Sequence, residues 1–255
     1  SVYEMYYDYR EPAAKMPPHR ILAINRGERE DFLKVQLEVP EDDVLSFLER
    51  KYARKESPVK PFLLRAAEDA WKRLLAPAVE REVRAMLTEK AEEQAIRVFS
   101  RNLRSLLLQP PVKDSVVLGI DPAYRTGCKL AVVDETGKVL EIGVIYPTPP
   151  HNKTEEAKAK VAEMIARHGI RLIAVGNGTA CRETERFVAE LLRTLPEPKP
   201  QYIIVNEAGA SVYSASKLAQ QEFPELDVAE RSAVSIARRL QDPLAELIKI
   251  DPKSI

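Results

Sequence analysis

Residues 116–135 read VVLGIDPAYRTGCKLAVVDE: a strand, a tight loop and a second strand. The apolar run Val116, Val117, Leu118 and Ile120 carries one acid, Asp121, to its C-terminal end. Pro122 and Gly127 flank the turn, and Lys129 to Val133 starts the return strand. A short continuous apolar run bounded by turn residues is the pattern of a strand buried on both faces. A carboxylate held at the end of such a strand can serve as a cation ligand, and the partners it meets decide the chemistry.

Downstream, strands and helices alternate. The pattern predicts strands over 115–120, 128–134 and 138–146, joined by short turns as an antiparallel meander. Thr154, with Glu155 and Glu156 behind it, caps a helix that Gly169 ends. Ile170 to Val175 reads as a buried strand, and Gly176-Asn177-Gly178-Thr179 leads into a helix over 180–195. Tyr202 to Val205 is a further strand, 211–223 is irregular or helical, and a last helix runs from about Glu230 to Lys249. The order βββαβαβα, a meander followed by two right-handed crossovers, is the α/β mixed-sheet topology of the ribonuclease-H-like fold.

Upstream the pattern differs. Val2 to Tyr9 is tyrosine-rich, then Pro12, Pro17 and Pro18 impose an extended connector. Ile21 to Ile24, a turn at Asn25-Arg26-Gly27-Glu28, and the alternating Leu33, Val35, Leu37 and Val39 predict a β-hairpin. From Glu41 to Leu108 the spacing is helical, with Asp42-Asp43 as a cap, Pro61 in a first turn and Pro77 as a stop or kink. Trp71 is expected in the core of that region. Gln109-Pro110-Pro111 marks the boundary, giving a hairpin-plus-helical region over 1–113 and the α/β domain over 114–255. Both chain ends read as cuts within a longer protein.

The composition excludes several classes. Hydrophobic residues make up 45% and charged residues 31%, and no apolar run is long enough for a membrane span. No secretory signal is visible. The two cysteines, Cys128 and Cys181, lack ligand spacing, which argues against structural zinc and fits a reducing compartment. Net charge is zero, yet residues 50–113 hold 15 Lys+Arg against 8 Asp+Glu. That local surplus suits an anionic partner or a solvated helical face.

Enzymes of this fold cut phosphodiesters with two divalent cations about 4 Å apart. Three or four clustered carboxylates hold them. The strand and helix ends that supply them offer Asp121, Asn177, Glu207 and Glu230 here. An amide stands at 177, and Arg231 follows Glu230, so the set is vestigial and no metal is assigned. Magnesium would enter only if a nuclease remains. Asp121 also suits a turn-forming role through amides of the 123–127 loop. Arg125, in the hairpin loop, is the candidate phosphate contact. The GNGT loop ahead of a helix aims its amides at a potential anion.

The motif GIDPAYRTG resembles the YqgF branch of the ribonuclease-H-like superfamily, related to the resolvase RuvC. GIDPAYRTGCKLAVVDETG, GNGTACRETE, VNEAGASVYSAS and SIARRLQDPLAELIKIDPKSI together resemble the bacterial Tex transcription-accessory family, and DYREPAAKMPPHRILAINRGERE extends the likeness upstream. The resemblance implies a cytoplasmic protein that binds nucleic acid, RNA or DNA, and influences transcription, with transcription machinery among its possible partners. It also implies helix-hairpin-helix and RNA-binding OB-fold parts beyond this chain. Arg231 aligns where the family's nucleases carry an acid, or Glu230 does if the register slips by one residue. Three function classes stand open: a nucleic-acid-binding accessory factor with an inactive nuclease scaffold, an active metal-dependent nuclease or resolvase, and a purely protein-binding module.

Overall fold

The computed structural model describes residues 1–255. The chain forms two compact units, Ser1–Arg101 and Asn102–Ile255. The division falls ahead of the expected 113/114 boundary, because Leu106 and Leu107 pack against Tyr213, Leu247 and Ile250 of the second unit.

The first unit contains no strand. Helix α1 (Pro18–Arg29) begins with a proline in its first turn, where a missing amide costs nothing. It buries Ile21, Ile24 and Gly27, which repeat every three residues along one face. The hairpin expected over 21–39 is therefore corrected: its first arm is helical. Gly27, read as a turn residue, is a packing position, where a Cβ would stand 2.6 Å from Leu33 Cδ1. The second arm, from Leu33 to Glu38, alternates half-buried and exposed but pairs with no strand.

Helix α2 (Glu41–Tyr52) is preceded by Pro40, so Asp42 and Asp43 sit in its first turn and favour the positive end of its dipole instead of capping it. Helix α3 (Lys60–Ala70) has Pro61 in its first turn, as expected. Trp71–Leu75 then widens into a π turn, and α4 (Ala76–Leu107) continues. Pro77 does not stop the helix, because the wider turn before it accommodates the missing amide. Trp71 is buried.

The second unit is a five-stranded sheet ordered β3-β2-β1-β4-β5. The strands β1 (Val117–Asp121), β2 (Cys128–Val133) and β3 (Val139–Ile145) form an antiparallel meander, β2 pairing with β1 and with β3. Beyond α5 (Thr154–His168) lies β4 (Leu172–Gly176), and beyond α6 (Cys181–Thr194) lies β5 (Gln201–Val205). Both pair parallel, β4 against β1 and β5 against β4. The central β1 is buried on both faces. Leu118 and Ile120 meet Val161, Met164 and Phe187 from α5 and α6. Val117 meets Ala233, Ile236 and Ala237 of α9 (Val228–Gln241), introduced after the short helices α7 (Ala210–Ser214) and α8 (Lys217–Glu222).

Gly119 lets β1 and α9 touch: a Cβ there would lie 2.3 Å from the Ala233 carbonyl oxygen. The last helix, expected to run through 249, breaks at Asp242, whose side chain caps α10 (Pro243–Leu247) by accepting from the Ala245 amide at 3.1 Å. Three antiparallel strands followed by two parallel ones in this order make the ribonuclease-H-like fold.

Candidate functional site

The C-terminal ends of β1, β4 and β5 lie side by side. Ile120 pairs with Val175 and Gly176 with Val205, so Asp121, the Asn177 loop and the Asn206-Glu207 loop emerge at one level. This sheet edge is where α/β folds place ligands.

Asp121 is mostly buried. Burial is the main cause that pushes its carboxyl up to about 6, and the Glu207 carboxylate adds to the rise. A hydrogen bond with Ser232 and the charge of Lys129, its cross-strand partner, pull the other way. The partner is thus a hydroxyl from α9, and the turn-capping role expected with the 123–127 amides is corrected.

Glu207 lies over the GNGT loop. A Cβ on Gly178 would stand 1.7 Å from Glu207 Oε1, and one on Gly176 would stand 2.4 Å from Oε2. The two glycines exist to seat this carboxylate, so an acidic side chain occupies the face the loop was expected to offer to an anion. Glu207 Oε2 is buried without a hydrogen-bond partner.

Asn177 is used structurally. Its Oδ1 accepts from the Glu207 amide at 3.1 Å and its own amide donates to Val205 O, joining the ends of β4 and β5. Glu230 is turned away into a capping box: its carboxylate accepts from the Asp227 amide at 2.8 Å while Asp227 accepts from the Glu230 amide at 2.7 Å. Arg231 has a structural place: it is buried and donates to Phe223 O at 3.0 Å and Ser214 O at 3.4 Å. The site therefore brings together Asp121 and Glu207 of the expected set, with Ser232 as the contribution of the last helix.

Arg239 was not foreseen. It is 3% exposed, and its Nη1 donates to Asn206 O at 2.9 Å and Ala208 O at 2.7 Å, gripping the loop on both sides of Glu207. Burial pulls its guanidinium down from its ordinary value, against the opposing pull of Glu246 and Glu207. Arg125 is exposed in the hairpin loop, its carbonyl against His151 Nε2 at 3.1 Å and its guanidinium in no ion pair with Glu207.

Residues 115–241 match the Tex protein YqgF-like domain, and residues 1–99 match the Tex central region-like model. The chain belongs to the Tex family. The transcriptional accessory protein Tex of Neisseria gonorrhoeae is 46% identical over 98% of this chain and 33% of that protein. A Bacillus subtilis protein is 62% identical over the whole chain and 36% of its own length. The human S1 RNA-binding domain-containing protein 1 is 42% identical over 93% of this chain and 24% of its own. The chain thus spans about a third of the length of most of these relatives. A Thermus thermophilus RuvC structure, 20% identical, covers 53% of this chain and 98% of its own, with a TM-score of 0.36.

Two divalent cations would need three or four clustered carboxylates. Two carboxylates, Asp121 and Glu207, are joined by the neutral Ser232, with Asn177 and Glu230 committed elsewhere. No group of three or more His, Cys, Asp and Glu side chains is disposed to hold a metal ion.

Proposed function

We propose that this Tex-family chain is a nucleic-acid-binding transcription accessory module whose nuclease-like domain is a scaffold that does not cut. The observation that carries the reading is that the last helix meets Asp121 with the Ser232 hydroxyl and no carboxylate, which leaves Asp121 and Glu207 without a third acid. The names of the relatives, a transcriptional accessory protein and an S1 RNA-binding domain protein, support nucleic acid, RNA or DNA, as the partner, alongside transcription machinery. The protein works in the cytoplasm on this reading; no helix is long and apolar enough to cross a membrane.

Binding by this chain alone is weak. Of the cations in 50–113, Lys60, Lys72, Arg73, Arg84 and Arg97 are already paired with carboxylates. Residues 114–255 hold 18 Lys+Arg against 20 Asp+Glu. Arg125 is the side chain best placed to meet a phosphate near Asp121.

The test is a binding and cleavage assay on single- and double-stranded RNA and DNA, with Mg²⁺, Mn²⁺ or chelator. Salt-sensitive binding without cleavage is expected, and Arg125→Ala should lower the salt slope by about one. Cleavage in Mn²⁺ that disappears in Asp121→Ala would establish a nuclease instead. Binding that is absent at low salt would leave a protein-binding module.

A further inference from the structure

The segment 33–38 of the first unit has one edge whose amides are bonded and one open edge. Along an extended chain, alternate residues direct their amide and carbonyl to opposite edges. The Leu33 amide donates to Gly27 O at 3.1 Å. The Val35 amide hydrogen-bonds the Glu28 carboxylate, and the Leu37 amide donates to Glu80 Oε1 at 3.3 Å. A helix-end carbonyl and two glutamates thus take the place of a neighbouring strand's carbonyls. The amides and carbonyls of Lys34, Gln36 and Glu38 belong to the other edge and have no protein partner.

The same segment lines a groove of about 880 Å³. Ile21 and Ile24 of α1 and Leu87 of α4 contribute apolar surface, and Tyr9 and Met16 line it as well. The Arg10–Glu38 ion pair at its rim, 2.9 Å long, is highly exposed and contributes little to holding it closed.

We propose that this groove takes an extended peptide from a separate polypeptide, added as a strand beside Lys34–Glu38. Three donors alternating with three acceptors, repeated every two residues, match another extended backbone. A nucleic-acid backbone offers acceptors and would leave the three carbonyls unmatched. A second copy would bring its own α1 and α4, bonded to its other edge, into the groove. The bound strand points alternate side chains toward Ile21, Ile24 and Leu87, which selects apolar residues there, and polar residues between them.

The experiment uses the 255-residue chain and a synthetic probe, Lys-Thr-Val-Thr-Val-Thr-Val-Lys, with amide exchange followed by NMR. Without probe, the amides of Lys34, Gln36 and Glu38 exchange quickly and those of Leu33, Val35 and Leu37 slowly. With probe, the first three slow by at least about tenfold, the value of one well-formed hydrogen bond. N-methylating alternate probe amides on the pairing edge weakens binding by a similar factor, whereas the other edge tolerates it. Gln36→Pro removes one donor and weakens binding likewise, with slow Leu33 and Leu37 exchange showing that the unit stays folded. The proposal is overturned by a probe that fails to bind at millimolar concentration. Binding without protection at 34, 36 and 38, or tolerance of methylation on both edges, overturns it equally. Protection that appears on raising the protein concentration alone assigns the edge to a second copy. Protection by an RNA oligonucleotide assigns it to nucleic acid. Either result displaces the peptide.

Discussion

Residues 33–38 and 117–121 both read as strands, and only the second stretch is one. The β1 residues have both faces buried, and residues 117–120 lie between β2 on one edge and β4 on the other, so their backbone pairs with strands. The 33–38 segment has the same alternation of backbone edges but lies against helices, where Glu28 and Glu80 supply oxygens in place of a strand. The difference teaches that apolar patterning selects an extended backbone, while the partner is decided elsewhere in the chain. For β1 the partners, 128–133 and 172–176, are themselves apolar strand formers. For 33–38 the expected partner, 21–24, has a stronger claim as a helix begun by Pro18.

The comparison is broken most severely at Gly119. Gly119→Val drives a side chain into the Ala233 carbonyl and the Ala237 backbone, so α9 must move off β1. The expected loss is about 3 kcal/mol by urea unfolding, the upper range of overpacking. Gln36→Val on the open segment, which is exposed, should change stability by no more than about 0.5 kcal/mol. Equal costs at the two positions would mean that 33–38 is packed as tightly as β1.

Arg231 separates electrostatic from structural accounts of α9. If it serves the Phe223 and Ser214 carbonyls, Arg231→Ala strands two buried acceptors and costs about 2 kcal/mol. It should leave cation binding unchanged in calorimetry with Mg²⁺. A variant that keeps its stability and gains a cation would show that Arg231 suppresses a metal site.

Asp121 gives an effect of similar size and opposite sign. Its folded value of about 6 lies above the ordinary 3.8. Between those two values the folded protein retains a proton that the unfolded chain has released. Stability therefore falls as pH rises from about 4 to about 6 and stays lower above. Asp121→Asn keeps an acceptor for Ser232 and removes the buried charge. It should be more stable than wild type at pH 7–8 by on the order of 2 kcal/mol, and the two should converge near pH 4. Melts that differ by the same amount across this range would show that the carboxyl is not buried beside Glu207.

Much of the second unit was legible because its signals are local. The apolar run before Asp121, the turns at Gly127 and Gly137 and the helix stop at Gly169, which adopts φ 61°, each act within a few residues. The site was legible only in part. Asp121 and Glu207 follow from strand ends, whereas Ser232 depends on the rotation of α9. The Asp227-x-x-Glu230 capping box was the available signal: it starts the helix at Val228 and ties Glu230 to Asp227. Arg239 left no local trace, since its partners, the Asn206 and Ala208 carbonyls, lie far back in sequence. The hairpin failed because a turn-like Asn-Arg-Gly-Glu is equally compatible with a helix whose glycine admits Leu33 and Tyr3.

The smallest expected effect concerns the glutamates that stand in for a strand. Glu80 Oε1 accepts from the Leu37 amide at 3.3 Å, a partly buried bond between α4 and the extended segment. Glu80→Ala removes the acceptor, and water can replace it only in part, so the cost is about 0.5–1.5 kcal/mol. Glu80→Gln retains a side-chain oxygen at the same reach and should recover most of that loss. The amide of Leu37 is the reporter: its exchange should quicken in Glu80→Ala and stay slow in Glu80→Gln, while β1 amides remain unaffected in both. If the Leu37 amide is protected equally in all three proteins, the segment is held by its half-buried Leu33, Val35 and Leu37 side chains alone. Packing against helices would then suffice to keep a chain extended, and the carboxylates would be bystanders to its conformation.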